Sequence, residues 1–215
     1  MTQNEITVPD AELLIATGCA HCPLVLDTLS QLLKEGAIGK LEVSNIVSRP
    51  ERAESLGVRS VPWIRIDKLI FEGQYSAVEL RHWTKMARTL EGQTEYIRQQ
   101  LIQGHLNKLE QLLHQTPDLL HALIPLLENE DTEMQVRIGI DAILESLSGH
   151  ESLHRLLPEL ARLSQIKNPR IRNDVTFYLG LTQHPDARPY LEKRLHDESE
   201  EIRTTAKESI ELLVI

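Results

Sequence analysis

Apolar positions in the first ninety residues change period several times. "AELLIAT", residues 11–17, is a short apolar run and predicts a strand. In "PLVLDTLSQLLKEG" the residues Val25, Leu29, Leu32 and Leu33 recur at helical spacing, with Gly36 as the stop. "KLEVSNIV", 40–47, reads as a second strand, and "RPERAESLG" as a short helix closed by Gly57. "VPWIRID" and "LIFEG" flank Asp67-Lys68 and predict a hairpin. "SAVELRHWTKMARTL" predicts a helix capped by Ser76, with Glu79 three positions on to complete a capping box. The predicted order is β-α-β-α-β-β-α.

Beyond about residue 91 the strand signals stop. "EGQT" reads as a short linker, which sets a first domain at 1–90 and a second at 91–215. The second predicts helices of about 10 to 20 residues separated by "HQTPD", "ENEDT", "SGHE", "KNPR" and "QHPD". Two markers recur there. Pro125, Pro158 and Pro189 each stand early in a first helix, and Val136-Arg137, Ile171-Arg172 and Ile202-Arg203 open second helices, the dipeptides 35 and 31 residues apart. Paired helices at such a period imply a stacked solenoid.

This pattern resembles HEAT-like repeats over roughly 118–215. In that family an Asp six residues before the Arg forms a ladder between repeats. Asp131 before Arg137 and Asp197 before Arg203 fit, whereas Ile166 before Arg172 predicts a break. The expected fold class is therefore multidomain, α/β plus all-α: a β-α-β-α-β-β-α domain followed by an α-helical HEAT-like solenoid. A nonrepetitive helical bundle is the alternative for the second part.

Composition narrows the function classes. Hydrophobic residues are 41%, charged residues 26% and aromatics only 4%, so core volume comes from aliphatic side chains. The net charge of −9 repels phosphate backbones and argues against a nucleic acid partner. The start "MTQNEITVPDAELL" lacks the pattern of a signal peptide, and no run approaches the roughly 18 apolar residues of a membrane helix. A cytoplasmic protein with no membrane partner is the expectation.

Chemistry concentrates in "GCAHCPLV", 18–25, which holds both cysteines of the chain. Cys19 falls just past a predicted strand and at the start of a predicted helix, where unpaired amides and the helix dipole favour a thiolate. His21 adds a charge that lowers a thiol pKa further. Cys22, one turn along, is placed to resolve a mixed disulfide. Pro23 costs little in a first helical turn. Two other readings stand beside the dithiol: half of a metal site, completed by His21 or a second chain, and inert core cysteines. Zinc wants four ligands and no third cysteine exists, so the expectation is no metal and no cofactor. His150 and His154, at i and i+4, are expected to face solvent.

"GVRSVPW", 57–63, places Pro62 at a strand start. Together with the CxxC at a strand-to-helix junction and the β-β-α that follows, this resembles the thioredoxin superfamily over residues 11 to about 90. "CAHCP" is similar to the glutaredoxin-like units of protein disulfide oxidoreductases and to the N-terminal domain of the alkyl hydroperoxide reductase flavoprotein. The resemblance implies Cys19 as nucleophile, Cys22 as resolving thiol, a cis Val61-Pro62 loop that receives extended substrate, and Trp63 in the substrate groove or in the core. Three positions depart from the thioredoxin pattern. Thr17 and Gly18 precede the pair where a Trp is usual, Leu13 replaces a buried Asp, and Ala-His lies between the cysteines.

The implied function is a thiol-disulfide oxidoreductase that acts on a protein disulfide client, recycled by a reductase, with the helical repeats binding the client. The alternative is a non-catalytic adaptor or redox-regulated interaction module. At the C-terminus, Ile202, Ala206, Ile210 and Leu213 are expected to be buried and Leu212, Val214 and Ile215 to face outward. That apolar end is read as a contact with a second copy of the chain or with a client, the alternatives being a segment folded back on its own repeat or a frayed tail.

Overall fold

The computed structural model describes residues 8–213. The chain divides into two compact units between Gln93 and Thr94.

In the first unit, β1 (Ala11–Ile15), β2 (Leu41–Asn45), β3 (Trp63–Ile66) and β4 (Leu69–Glu72) form one mixed sheet in the order β2-β1-β3-β4. β1 pairs parallel with β2, and β3 runs antiparallel to both β1 and β4. The helices are α1 (Cys22–Lys34), α2 (Pro50–Ser55) and α3 (Ala77–Met86), which gives the β-α-β-α-β-β-α order read from the sequence. Because β1 is central, Leu13 and Leu14 are fully buried, and Val25, Leu29 and Leu32 of α1 are buried with them. Leu33, counted on the same stripe, is instead 38% exposed at its edge. Gly36 and Gly57 take positive φ just past α1 and α2, where a side chain would be strained. Asp67 does the same in the tight hairpin. The Ser76 hydroxyl accepts from the Glu79 amide, and the Glu79 carboxylate accepts from the Ser76 amide, closing the expected capping box.

The helix α4 (Leu90–Ile102) overturns the linker expected at "EGQT". Those residues are helical because Thr89 caps the Gly92 amide with its hydroxyl and the apolar positions continue in phase to Tyr96, Ile97 and Leu101.

The second unit continues with α5 (Leu106–Gln115), α6 (Ile124–Glu128), α7 (Met134–Ser146), α8 (Glu151–His154), α9 (Leu157–Leu163), α10 (Pro169–Leu181), α11 (Arg188–Arg194) and α12 (Glu200–Leu212). Several are shorter than expected, and the prolines explain it. Pro125, Pro158 and Pro189 each sit in the first turn of a short helix, where no amide is needed. The chain before each turns as a separate short piece: the 3-10 segment Pro117–Leu123, α8, and the 3-10 segment Pro185–Ala187. Each jointed pair then leads into a helix of 13 residues, α7, α10 or α12.

Ion pairs bind consecutive pieces together. Arg155 bonds Asp118 at 2.8 Å, and Arg162 grips both oxygens of Glu128. The arginines at the starts of the long helices differ in their partners. Arg172, without an Asp of its own, is the best satisfied: it holds both carboxylate oxygens of Asp197 at 2.9 Å and donates to the Ile166 and Lys167 carbonyls. Arg203 donates to the Asp197 and Glu198 carbonyls. Arg137 bonds Asp174, not Asp131, and its Nη1 is buried without a partner among the described residues. At Gly180 a Cβ would lie 2.6 Å from Ser209 Cβ, so α10 and α12 approach closely only because that side chain is missing.

Two further expectations change. His154 is half-buried and hydrogen-bonds the Thr182 carbonyl at 2.9 Å, so it does not face solvent freely, although His150 is exposed. Along α12, Ile202 and Ala206 are buried, as is Leu213 just beyond it, whereas Ile210 is half-buried and Ser209 takes the core position against the Thr176 carbonyl. Leu212 is 41% exposed, and Val214 and Ile215 lie outside the described residues.

Candidate functional site

The two cysteines are brought to one place by the turn that follows β1. The Cys19 amide bonds the Ala16 carbonyl at 3.2 Å, and Gly18 takes a φ of 81° that lets the chain reverse there. The Asn45 amide group of β2 donates to the Thr17 hydroxyl and ties this turn to the neighbouring strand.

α1 begins at Cys22 with Pro23 in its first turn. Proline has no N–H, so few amides remain at this helix end, and one of them is committed to sulfur: the Cys22 amide lies 3.2 Å from Cys19 Sγ. A donor and a positive helix end are thus aimed at Cys19, the arrangement that stabilises a thiolate there once the pair is reduced. The pair itself is a disulfide, with Cα atoms 5.5 Å apart. Cys22 is 4% exposed and Cys19 half-exposed, so an approaching group meets Cys19 first. His21, between them, is exposed and its ring makes no capping bond.

Val61-Pro62 lies against this pair. Its peptide bond is cis, as the resemblance implied, and the Val61 carbonyl is 3.9 Å from Cys19 Sγ. Pro62 is buried and its carbonyl accepts from the Gly73 amide, while among the described residues the Val61 amide has no backbone partner. Trp63 is 3% exposed at the start of β3. Its side chain belongs to the core and is not offered to a groove. The structure therefore brings together Cys19, His21, Cys22, Val61 and Pro62, with Trp63 behind them. A hollow of about 390 Å³ lies beside the chain leading into Val61, formed by Ile46, Pro50, Ala53 and Val58, with Glu54 and Arg59 as its charged residues.

One residue escaped the sequence reading. Glu12 in β1 is 3% exposed. Its Oε1 accepts from Arg52 Nε of α2 at 2.6 Å and its Oε2 from Arg65 Nη2 of β3 at 2.5 Å. The signal was there: a single charge inside an apolar strand has to be paired to be buried. At Leu13, by contrast, the departure from the thioredoxin pattern holds in space, since that residue is fully buried hydrocarbon.

Among the described residues no group of three or more His, Cys, Asp or Glu side chains is placed to hold a metal ion, and no helix is long and apolar enough to cross a membrane. A comparison with curated proteins finds no match. Residues 11–85 do match a family model, that of the thioredoxin domain. With the Cys19-Cys22 disulfide at the start of α1, residues 11–85 form a thioredoxin-like domain.

Proposed function

We propose that this protein is a thiol-disulfide oxidoreductase, with Cys19 as nucleophile and Cys22 as resolving thiol. The observation that carries the reading is the half-exposed Cys19 sulfur, held between the first amide of α1 and the Val61 carbonyl. In the reduced protein the Cys19 thiolate attacks one sulfur of a client disulfide. A mixed disulfide forms and a client thiolate leaves. Cys22, deprotonated by solvent base, then attacks Cys19 Sγ; the second client thiolate leaves, and Cys19-Cys22 is left oxidised. Two electrons have passed to the client, and a dithiol reductant or a reductase restores the pair. The Val61 amide, without a backbone partner among the described residues, and the nearby carbonyl suit an extended client segment, and the hollow beside them suits an apolar client side chain.

In this reading the second unit is HEAT-like and binds the protein client, and the protein works in the cytoplasm. The HEAT-like part of this reading is supported by three proline-jointed short helices, each followed by a 13-residue helix.

The test is reduction of an insulin-type disulfide with dithiothreitol as electron donor. The wild type is expected to accelerate it and Cys19→Ser to abolish the acceleration. A wild type that does no better than dithiothreitol alone contradicts the reading. One observation favours the adaptor alternative: with Leu13 fully buried where an acid is usual, Cys22 lacks that proton acceptor, which slows resolution. A mixed disulfide that accumulates without turnover is the result that reading expects.

A further inference from the structure

We propose that Glu12 is a positioning residue for the client-binding edge, acting through Arg52 to fix α2 and the run of chain from Gly57 to Val61. The inference rests on the oxidoreductase reading above. A carboxylate buried in a central strand is costly unless it is paired, and an apolar residue of similar volume would serve the sheet as well or better. What Glu12 adds over an apolar residue is a pair of directed bonds. Its two oxygens are divided between two elements: Oε1 takes Arg52 of α2, and Oε2 takes Arg65 of β3.

The two elements need that bond unequally. β3 is hydrogen-bonded along both edges, to β1 and to β4. α2 has six residues, too few to be stable as an isolated helix, and buries only Ala53. The Arg52 arm is therefore its principal directed tether to the sheet. Its position passes straight to the functional edge. The Ala53 carbonyl accepts from the Val58 amide at 2.9 Å and the Glu54 carbonyl from the Gly57 amide at 3.1 Å. Four residues after Gly57 comes Val61, whose carbonyl faces Cys19. Ala53 and Val58 also form the hollow beside that edge.

The test compares Arg52→Met with Arg65→Met in the full-length chain. Each removes one arm of the same clasp and leaves Glu12 the other arginine, so both are expected to lower the melting temperature. Only Arg52→Met is expected to act on the edge. It raises KM for a disulfide-containing peptide about tenfold, with kcat and the potential of the Cys19-Cys22 pair unchanged, the signature of lost binding without lost chemistry. It also speeds amide hydrogen exchange at Gly57 and Val58, whose amides bond carbonyls of α2. Arg65→Met leaves KM and these exchange rates within about twofold of wild type. Equal effects of the two variants on exchange, or no effect of Arg52→Met, overturn the proposal. If the wild type turns over no disulfide, the function fails separately, and the exchange comparison alone decides whether Glu12 positions the loop.

Discussion

At the scale of single residues the account turns on an asymmetry between two sulfurs. Cys19 is half-exposed and receives the first amide of α1, whereas Cys22 is 4% exposed. In the reduced protein near neutral pH, iodoacetamide should therefore alkylate Cys19 at least about tenfold faster than Cys22, since thiolate fraction and access both favour it. Peptide mass mapping over time measures this, and equal rates would reverse the assignment. His21 makes no capping bond and is exposed, so any influence on the pair comes through its charge beside the thiolate. His21→Pro should make the pair more reducing, each 30 mV corresponding to about 1.4 kcal/mol. A potential that stays put or rises would remove His21 from the site. The cysteines and Pro62 were legible in the sequence because their chemistry depends on spacing along the chain. Glu12 and Trp63 were not. Whether a strand residue meets an arginine 40 or 53 positions away, or turns into the core, depends on pairing partners that periodicity does not reveal.

At the scale of elements, the strands and helices of the first unit follow their local signals, because Gly, Pro and Ser punctuate each one. The capping box at Ser76 offers a direct check. Ser76→Ala should cost about 1 kcal/mol, measured by urea unfolding, with no change in the cysteine chemistry. In the second unit the local signals gave the helices but not their lengths. Pro125, Pro158 and Pro189 divide what periodicity joins, and at "EGQT" the Thr89 cap and continuing apolar phase override a composition that reads as a loop. Close approach is equally invisible in one dimension. Gly180→Ala would place a methyl 2.6 Å from Ser209 Cβ and should cost about 1–3 kcal/mol, although alanine is the better helix former.

For the whole molecule, acid stability reports the buried Arg172-Asp197 clasp. The Arg172 hydrogen bonds hold the Asp197 carboxyl below its usual range, against the opposing effect of burial. A lowered carboxyl pKa gives stability that is complete above about pH 4 and is lost as the pH falls through the folded value. The melting temperature of the wild type should thus fall as the pH drops below about 4, and that of Asp197→Asn should fall less. Parallel curves would mean the clasp contributes nothing. Burial raises the Asp174 carboxyl and so works the other way, but both proteins carry Asp174 and its effect cancels in the comparison.

A redox titration shows whether Cys19 and Cys22 form a working redox couple. The protein is equilibrated in glutathione or dithiothreitol buffers, quenched, and the fraction of Cys19-Cys22 disulfide is read by thiol labelling. We predict a single two-electron transition between about −270 and −120 mV, the range of catalytic dithiols. A midpoint below about −300 mV, where structural disulfides fall, would contradict the account.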